Sequence, residues 1–238
     1  MIKPIINEIF PSTGIMIRNK YIDSFRRAYF INKIYESGIK NIEIGSFSKD
    51  QPFVNGIHEL SAKTNSNIHK SGFIKLSRDV VIKPSISQII YHIYSNNNEN
   101  IRVKGMSIND SIREFNIIRD QIKIPTKIVI EGDINEDFKY IYNNTKPDII
   151  EVSSINKVIL YTVDDVNKLS IRPSSIEEVD KAYYEQIYKY SSSILPIKDH
   201  LETISLIKHL QGKMGVEIPI SITGLTEVQK EIVDEFNW

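Results

Sequence analysis

The residues best suited to chemistry in this sequence are three glutamates at or near the ends of short apolar segments, Glu43, Glu131 and Glu151. If these segments are strands of one parallel barrel, the carboxylates converge on the mouth formed by the strand C-termini, where barrel enzymes carry their active sites. Three carboxylates could bind a hard cation there, or form structural ion pairs, because a buried carboxylate needs a partner whatever its role. The basic residues available for such pairs are Lys75, Lys104 and Arg172. The polar residues predicted at the mouth are Ser12, Thr13, Glu43, Ser46, Lys104, Glu131, Asp133, Glu151 and Ser153.

Lys104, in the segment Ile-Arg-Val-Lys-Gly, is a second candidate, because a lysine desolvated inside a barrel can form a Schiff base with a carbonyl substrate. Glu131 on the next predicted strand would supply the acid, and an ion pair between the two residues is the alternative without catalysis. The histidines are His58, His69, His92, His200 and His209. His92 is predicted to lie on a helix surface. His200 and His209 share one predicted helix but lack the i, i+4 spacing of a helical metal pair.

Composition excludes several other kinds of site. The chain has no cysteine, so it has no disulfide, thiolate metal site or cysteine nucleophile. Its 30 basic and 30 acidic residues cancel, which leaves no net field toward nucleic acid or an anionic membrane. Glycine-rich phosphate-binding motifs are missing, and no apolar run approaches the roughly 20 residues of a membrane span. We expect a cytoplasmic protein with no cofactor and no nucleic-acid or membrane partner.

The amino-acid usage is biased in a way that affects both source and structure prediction. About a fifth of the residues are isoleucine, asparagine and lysine are common, and alanine occurs only three times. Isoleucine, asparagine and lysine have AT-rich codons, so the composition indicates an AT-rich genome, as in large DNA viruses, some protists and some low-GC bacteria. The same bias raises β-branched content throughout the chain, so β-propensity has to be discounted when strands are assigned.

Short apolar runs alternate with longer amphipathic stretches, which predicts βα units around a parallel sheet. The predicted strands are Ile5–Phe10, Asn41–Phe47, Ile68–Leu76, Ile101–Met106, Lys127–Glu131, Asp148–Val152 and Val216–Thr223. The predicted helices are Lys20–Ser37, Asn55–Thr64, Ser85–Ser95, Asn109–Ile122, Asn135–Asn143, Ser175–Tyr190, Lys198–Gln211 and Thr226–Phe236. Between Ser153 and Pro173 two interpretations stay open. Either Val158–Val163 is a strand, or a helix runs toward Leu169 and Ser170–Arg172 is the strand.

Seven or eight strands favour closure over an open, doubly wound sheet. We therefore predict the α/β class and a TIM-like (β/α)8 barrel, complete or else incomplete and distorted, formed by one domain that spans residues 1–238. A chain of this length matches the roughly 250 residues typical of such barrels.

The first two βα units contain the segments Glu8–Met16, Glu36–Ile39 and Ile42–Phe47. These segments resemble the hydroxymethylglutaryl-CoA lyases, and Glu8–Met16 is similar to the family's first strand and its turn Pro-Arg-Asp-Gly-Leu-Gln. Glu36–Ile39 and Ile42–Phe47 resemble the family's Glu-Ala-Gly-Leu and its second strand, and Ser111–Phe115 with Lys127–Glu131 resembles its fourth helix and fifth strand. The resemblance implies a metallolyase barrel that holds a divalent metal through an aspartate in the first turn and a His-x-His pair on the seventh strand.

The residues that the resemblance requires for this chemistry are missing. Ser12 stands at the position of the family's arginine and Thr13 at that of its aspartate, and the sequence contains no His-x-His. A hydroxyl is a poor substitute for a carboxylate ligand or a guanidinium. The family's glycine-rich, cysteine-bearing loop is also absent, and Glu43 alone survives among the transferable polar positions. The resemblance therefore implies the fold and argues against the activity.

These observations predict a catalytically inactive, lyase-like barrel that serves as a structural or protein-interaction component, such as a virion or assembly protein of a large DNA virus. Its vestigial pocket, without a metal, would be formed by Ser12, Thr13, Glu43, Ser46 and Glu151. The alternative is a divergent carbon–carbon lyase or aldolase with a site rebuilt around Glu43, Lys104 and Glu131. We expect a homo-oligomer or another protein partner, with the tyrosine-rich helix Ser175–Tyr190 as the contact.

Overall fold

The computed structural model describes residues 1–18, 20–47, 54–74 and 85–238. Within these ranges eight parallel strands pair in chain order, and the eighth pairs with the first, which closes a barrel. The strands are β1 (Ile5–Glu8), β2 (Asn41–Ser46), β3 (His69–Phe73), β4 (Gln88–Tyr94), β5 (Thr126–Glu131), β6 (Ile149–Val152), β7 (Leu169–Ile171) and β8 (Lys189–Ser192). The predicted TIM-like barrel is confirmed, and it is closed.

Helices connect the strands and cover the outside of the barrel. The described α-helices are α1 (Ile15–Arg18), α2 (Ser24–Glu36), α3 (Ile57–Lys63), α4 (Asn97–Lys104), α5 (Ile108–Gln121), α6 (Glu136–Thr145), α7 (Lys157–Thr162), α8 (Ile176–Tyr184), α9 (Thr203–Gln211) and α10 (Ile222–Phe236). A π-helical turn, Phe10–Gly14, follows β1, and a short 3₁₀ turn, Val166–Lys168, precedes β7. None of these helices combines the length and the apolar character that a membrane span requires.

Local sequence explains where several helices begin. The Asp23 side chain accepts hydrogen bonds from the backbone N–H groups of Phe25 and Arg26, and Ser107 accepts from the N–H of Asp110. Ser175 likewise accepts from the N–H of Glu178, as expected for a residue that starts a helix. These caps satisfy donors that the first helical turn leaves free.

In the segment from Ser85 to Met106, the strand and the helix lie in the opposite order to the one predicted from the sequence. Ser85–Ser95 was predicted to be helical but contains β4, because a parallel strand buried on both faces shows no two-residue alternation and its isoleucines imitate a helical stripe. Ile101–Met106 was predicted to be a strand but lies mostly in α4. The Asn96 side chain caps that helix, and Gly105, with φ 75°, ends it.

The C-terminal third differs as well. The helix predicted to reach Tyr190 stops at Tyr184, and the positive φ of Gln186 (61°) turns the chain into β8. The predicted strand Val216–Thr223 does not form, although Val216 makes a single parallel bridge with Ile2. Between Ser153 and Pro173, the second of the two predicted arrangements is closer to the structure, because a helix, α7, is followed by strand β7. The predicted strand Ile68–Leu76 agrees with β3, and its last two residues lie outside the described ranges.

One apolar layer lies on each side of the sheet. The larger one fills the space between the outer face of the barrel and the helices and is rich in buried isoleucine. A small second cluster consists of Phe73, Ile90 and Val129, with Met16 packed against it. Val129 pairs in register with Glu151, whose carboxylate bonds side chains across the barrel, so this second cluster lies in the barrel interior.

Candidate functional site

Glu43 lies in the barrel interior next to the turn that follows β1, and it is 0% exposed. The Thr13 hydroxyl donates to Glu43 Oε1 at 2.7 Å, and the Thr13 backbone N–H donates to the same oxygen at 3.3 Å. The second carboxylate oxygen, Oε2, is buried, and neither it nor the buried hydroxyl of Ser12 has a hydrogen-bond partner in the described part of the chain. Strand register therefore predicted the burial of Glu43 correctly, but only one of its oxygens is satisfied.

Glu151 is held very differently. The side chains of Lys127 and Arg172 form ion pairs with it at 2.8 Å and 2.7 Å, and both cations are almost fully buried. The hydroxyls of Ser170 and Ser191 donate to its Oε2. Burial alone would raise the pKa of Glu151, but the two cations outweigh that effect and hold the pKa well below its ordinary value. We call Lys127, Glu151, Ser170, Arg172 and Ser191 the paired network.

Glu131 joins this network through Arg172 and connects it to His92. Its Oε1 lies 3.1 Å from His92 Nδ1 and 3.6 Å from Arg172 Nη1. Burial alone would raise the pKa of Glu131, but the hydrogen bond and charge of His92 and the charge of Arg172 lower it to about 2. An ionised carboxylate can only accept, so Nδ1 carries the proton of this contact. The other ring nitrogen, His92 Nε2, is buried and has no hydrogen-bond partner within the residues that the structure describes.

Arg172 links the three interior glutamates. Burial would lower the pKa of its guanidinium, but nearby carboxylates raise it above its ordinary value. These carboxylates belong to Glu151, Glu131 and Glu43. One guanidinium thus supplies positive charge at the place where the sequence predicted three converging carboxylates.

Lys104 does not occupy the predicted position on a barrel strand. It is the last residue of α4, and its ammonium donates to the backbone carbonyl of His92 at 2.6 Å and lies 3.6 Å from the ring centre of Tyr91. The predicted Lys104–Glu131 pair, whether catalytic or structural, is therefore replaced by Glu131 with His92 and Arg172. The cause is the exchange of strand and helix between Ser85 and Met106.

The other predicted residues separate into buried and exposed ones. Ser46 is buried at the end of β2, whereas Asp133 and Ser153 are exposed beyond β5 and β6. Lys75, proposed as an ion-pair partner, lies outside the described residues. His209 pairs with Asp180 on the outer surface at 2.6 Å, away from the barrel interior.

His92 is the residue that the sequence interpretation missed. It was assigned to a helix surface, but it lies on β4 and shares the inner face with Ile90. The pattern of a polar residue two positions after a buried isoleucine could have indicated it, had the segment been assigned to a strand.

A cavity of about 230 Å³ opens at the mouth of the barrel beside β2, β3 and β4. Its described lining consists of Met16, Ser46, Phe73, Ile74, His92, Tyr94, Val103 and Lys104. The wall combines four apolar residues with polar groups at Ser46, His92, Tyr94 and Lys104. We refer to it as the mouth pocket.

The divalent metal that the family resemblance implies does not fit these residues. The first turn offers the Thr13 hydroxyl, which is already donating to Glu43, and the seventh strand and its end present Ser170 and Arg172 instead of histidines. A permanent guanidinium next to the carboxylates repels a divalent cation. Among the described residues no group of three or more His, Asp or Glu side chains could hold a metal ion.

Comparisons with known proteins place the fold. The sequence matches no protein-family model and no curated protein. The structure is similar to the HMG-CoA lyase of Bacillus subtilis, with a TM-score of 0.85 and 13% identity over 99% of this chain and 94% of the lyase. The Pseudomonas aeruginosa lyase gives 0.84 and 12% over the same shares of the two chains. A lyase of Acinetobacter baumannii, solved with coenzyme A and 3-methylmalate, gives 0.80 and 14% over 97% of this chain and 90% of the lyase.

The structure is also similar to a domain that is described as part of a putative aldolase. The N-terminal domain of a putative aldolase from Bacteroides vulgatus matches at a TM-score of 0.65 with 13% identity over 98% of this chain and 88% of that domain. At these identities the likeness concerns the fold and not the activity. The chain therefore has the closed parallel barrel of the HMG-CoA lyases, as the sequence resemblance implied.

Proposed function

We propose that this chain is a lyase-like barrel without carbon–carbon lyase activity that serves as a binding or structural component. The observation that carries the proposal is the ion pairing of the interior carboxylates. Glu151 is neutralised by Lys127 and Arg172, so the barrel supplies its own cations where a metallolyase would use a metal. The pairing also supports a structural role for these residues, because breaking a buried ion pair strands a charge.

The first-strand turn supports the same proposal. A metal-dependent lyase needs a charged ligand there and a cation that stabilises an enolate. Ser12 and Thr13 provide only hydroxyls, and the Thr13 hydroxyl is used to bind Glu43.

Metal analysis combined with an activity assay tests this proposal. The purified protein should contain no stoichiometric divalent metal after incubation with Mg²⁺ or Mn²⁺ and subsequent desalting, and it should release no acetoacetate from hydroxymethylglutaryl-CoA. The Bacillus subtilis lyase, carried through both procedures in parallel, is the positive control. Stoichiometric metal in the barrel, or acetoacetate above the no-enzyme rate, would overturn the proposal.

A divergent lyase or aldolase with a rebuilt site is the second candidate. The Glu131–His92 pair favours it, since a carboxylate that orients a histidine at a pocket is an arrangement used for general-base catalysis. The residues that the sequence predicts for this rebuilt site are Glu43, Lys104 and Glu131. Borohydride reduction in the presence of pyruvate or dihydroxyacetone tests its Schiff-base form, because a trapped adduct on Lys104 adds a defined mass. An unmodified Lys104 peptide argues against that form.

The tyrosine-rich C-terminal part supports the proposed protein contact. An assembly role, in a virus or in another source with an AT-rich genome, depends on that contact. In the region predicted as one helix, Tyr184 is 78% exposed, whereas Tyr190 is fully buried in β8. The surface contribution of this region is therefore centred on Tyr184. Sedimentation of the wild type and of Tyr184→Ser at several concentrations tests the contact. A wild type that remains monomeric throughout would count against self-association.

A further inference from the structure

The connection between β2 and α3 contains an asparagine followed by a glycine, Asn55–Gly56, and both residues are exposed. Gly56 has φ 76°, a conformation that glycine adopts without strain. A Cβ built on Gly56 would meet no atom of the described residues within 4 Å, so the space around its backbone is open. In such a dipeptide the backbone nitrogen of the glycine can attack the side-chain amide carbon of the asparagine, because no side chain of the second residue shields it.

The side-chain amide of Asn55 is not held in place by a hydrogen bond to any described residue. Asn65, the other exposed asparagine that precedes a small residue in a turn, differs in this respect. Its Oδ1 accepts a hydrogen bond from the backbone N–H of Asn67 at 2.9 Å. The amide of Asn55 is therefore the freer of the two to approach the backbone nitrogen that follows it.

The backbone carbonyl of Asn55 is bound by a buried cation. Arg27 Nη1 donates to this oxygen at 3.0 Å, and Arg27 Nη2 donates to the carbonyl of Ile44 at 2.6 Å. Burial lowers the pKa of the Arg27 guanidinium to about 10, which leaves it protonated at neutral pH. No carboxylate of the described residues forms an ion pair with it. Arg27 is thus a desolvated positive charge that is directed at a neutral carbonyl.

This arrangement assists a reaction that needs only water. The Gly56 nitrogen forms a bond to Cγ of Asn55 and loses its proton, and the side-chain nitrogen leaves as ammonia, which gives a cyclic succinimide. Arg27 polarises the Asn55 carbonyl and so makes the adjacent Gly56 N–H more acidic. Water then opens the ring at one of its two carbonyl carbons.

The position of Arg27 selects the carbonyl that water attacks. Attack at the main-chain carbon of Asn55 places the developing oxyanion within reach of Arg27 Nη1, which stabilises it. The bond from that carbon to the Gly56 nitrogen breaks, and the chain continues through the former side-chain carbon as isoaspartate. The oxygen that Arg27 already binds then belongs to a carboxylate. Attack at the other carbon would give ordinary aspartate and leave this oxygen in a neutral carbonyl.

We propose that Asn55 is a site of spontaneous isoaspartate formation, that Arg27 assists the conversion, and that the new α-carboxylate forms an ion pair with Arg27. The modification lengthens the backbone beside the mouth pocket, because the carbonyl of the preceding residue, Val54, accepts from the N–H of Ser46 in the pocket wall. This inference goes beyond the binding or structural role proposed above, which requires no covalent change.

Incubation of the full chain at mildly alkaline pH tests the site, with peptide mapping by mass spectrometry and enzymatic methylation of isoaspartate as measurements. Asn55 should convert at least about tenfold faster than Asn65, a difference of about 1.4 kcal/mol in barrier. Asn55→Gln should abolish the isoaspartate signal, because glutamine has to close a less favourable six-membered ring. Asn65→Gln, the matched control, should convert at Asn55 as the wild type does.

The ratio of isoaspartate to aspartate tests the role of Arg27. It should be at least about threefold higher in the folded protein than in the same chain unfolded in urea, where Arg27 no longer binds the carbonyl. Arg27→Lys should lower the ratio toward the unfolded value, because a lysine cannot bind the carbonyls of Asn55 and Ile44 together. Thermal melting verifies that the variant is folded, and the urea comparison decides if it is not.

Three results would overturn the proposal. The first is a folded protein without isoaspartate at position 55 after the unfolded chain has converted. The second is an equal ratio of the two products in the folded and the unfolded chain. The third is a crystal structure of the converted protein in which the α-carboxylate points away from Arg27. None of these measurements depends on the metal and acetoacetate assays that test the proposed function.

Discussion

The two halves of the barrel interior treat buried polar groups in opposite ways. In the second half, β5 to β8, every member of the paired network has a partner, and Glu151 accepts from four side chains. In the first half, β1 to β4, four buried polar atoms have no hydrogen-bond partner among the described residues, namely Ser12 Oγ, Glu43 Oε2, Ser71 Oγ and His92 Nε2. Since leaving a buried donor or acceptor unmade costs about 1–3 kcal/mol, these four atoms carry an energetic cost that the paired network avoids. The difference indicates that the paired network contributes more to the stability of the fold than the interior polar groups of the first half do.

The largest expected effect is in the paired network. Arg172→Met should lower the free energy of unfolding by about 3–5 kcal/mol, because it leaves Glu151 with a single cation and deprives Glu131 of its guanidinium. Urea denaturation monitored by Trp238 fluorescence and circular dichroism measures it. A decrease in the free energy of unfolding below about 1 kcal/mol would show that the fold does not depend on the ion pairs of the second half.

Glu8 offers a direct contrast with Glu151, because its carboxylate is fully buried and pairs with no cation among the described residues. It accepts from the N–H groups of Phe10 and Ile194 and from the Thr203 hydroxyl. Burial outweighs these bonds and raises the pKa of Glu8 to about 7, opposite in direction to Glu151. The folded protein therefore keeps a proton that the unfolded chain has lost, and stability falls as pH rises from about 4.5 to 7, by about 3 kcal/mol in total.

Glu8→Gln should remove this pH dependence. The test is the free energy of unfolding of wild type and variant between pH 4.5 and 8. The difference between the two proteins should move in favour of the variant by about 3 kcal/mol across that range. Parallel curves would show that Glu8 is ionised throughout and that its neutral donors suffice.

Glu43 gives an intermediate effect that depends on the replacement. Glu43→Gln should change the free energy of unfolding by less than about 1 kcal/mol, because the amide oxygen still accepts from Thr13 and no charge remains buried. Glu43→Leu should cost about 2–3 kcal/mol, because the Thr13 donors lose their acceptor. Equal losses for the two variants would indicate that the charge, acting through Arg172, is what the fold requires.

The smallest expected effect comes from two serines of equal burial. Ser191→Ala should cost about 1–2 kcal/mol, because its hydroxyl donates to Glu151. Ser71→Ala should not lower the free energy of unfolding, and it should raise it as far as the buried hydroxyl is unsatisfied, because that hydroxyl has no partner to lose among the described residues. Both serines are 1% exposed, so burial cannot explain a difference. Thermal melting at two pH values is sufficient, and a larger loss for Ser71→Ala would reverse the assignment of the two halves.

Sequence reasoning predicted the barrel and the burial of Glu43, but it failed in one continuous segment. Between Ser85 and Met106 it exchanged a strand and a helix, and this error misplaced Lys104 and hid His92. The physical reason is that a parallel strand covered on both faces is uniformly apolar, and that isoleucine is frequent throughout this chain. The helix α4 was overlooked because its exposed surface lacks an apolar stripe. Its start at Asn96 and its end at Gly105 were the available signals.

The sequence by itself determined the alternation of strands and helices, the absence of cysteine chemistry, and the loss of the charged residues in the first-strand turn. These properties are local, because they depend on residue type and on spacing within one element. Only the tertiary structure decided which carboxylate receives a cation. Lys127, Arg172 and Ser191 reach Glu151 from separations of 21 to 40 residues, across neighbouring strands and through the barrel interior. Closure of the sheet makes those contacts, and it leaves Glu43 and His92 with one buried atom each that has no hydrogen-bond partner among the described residues.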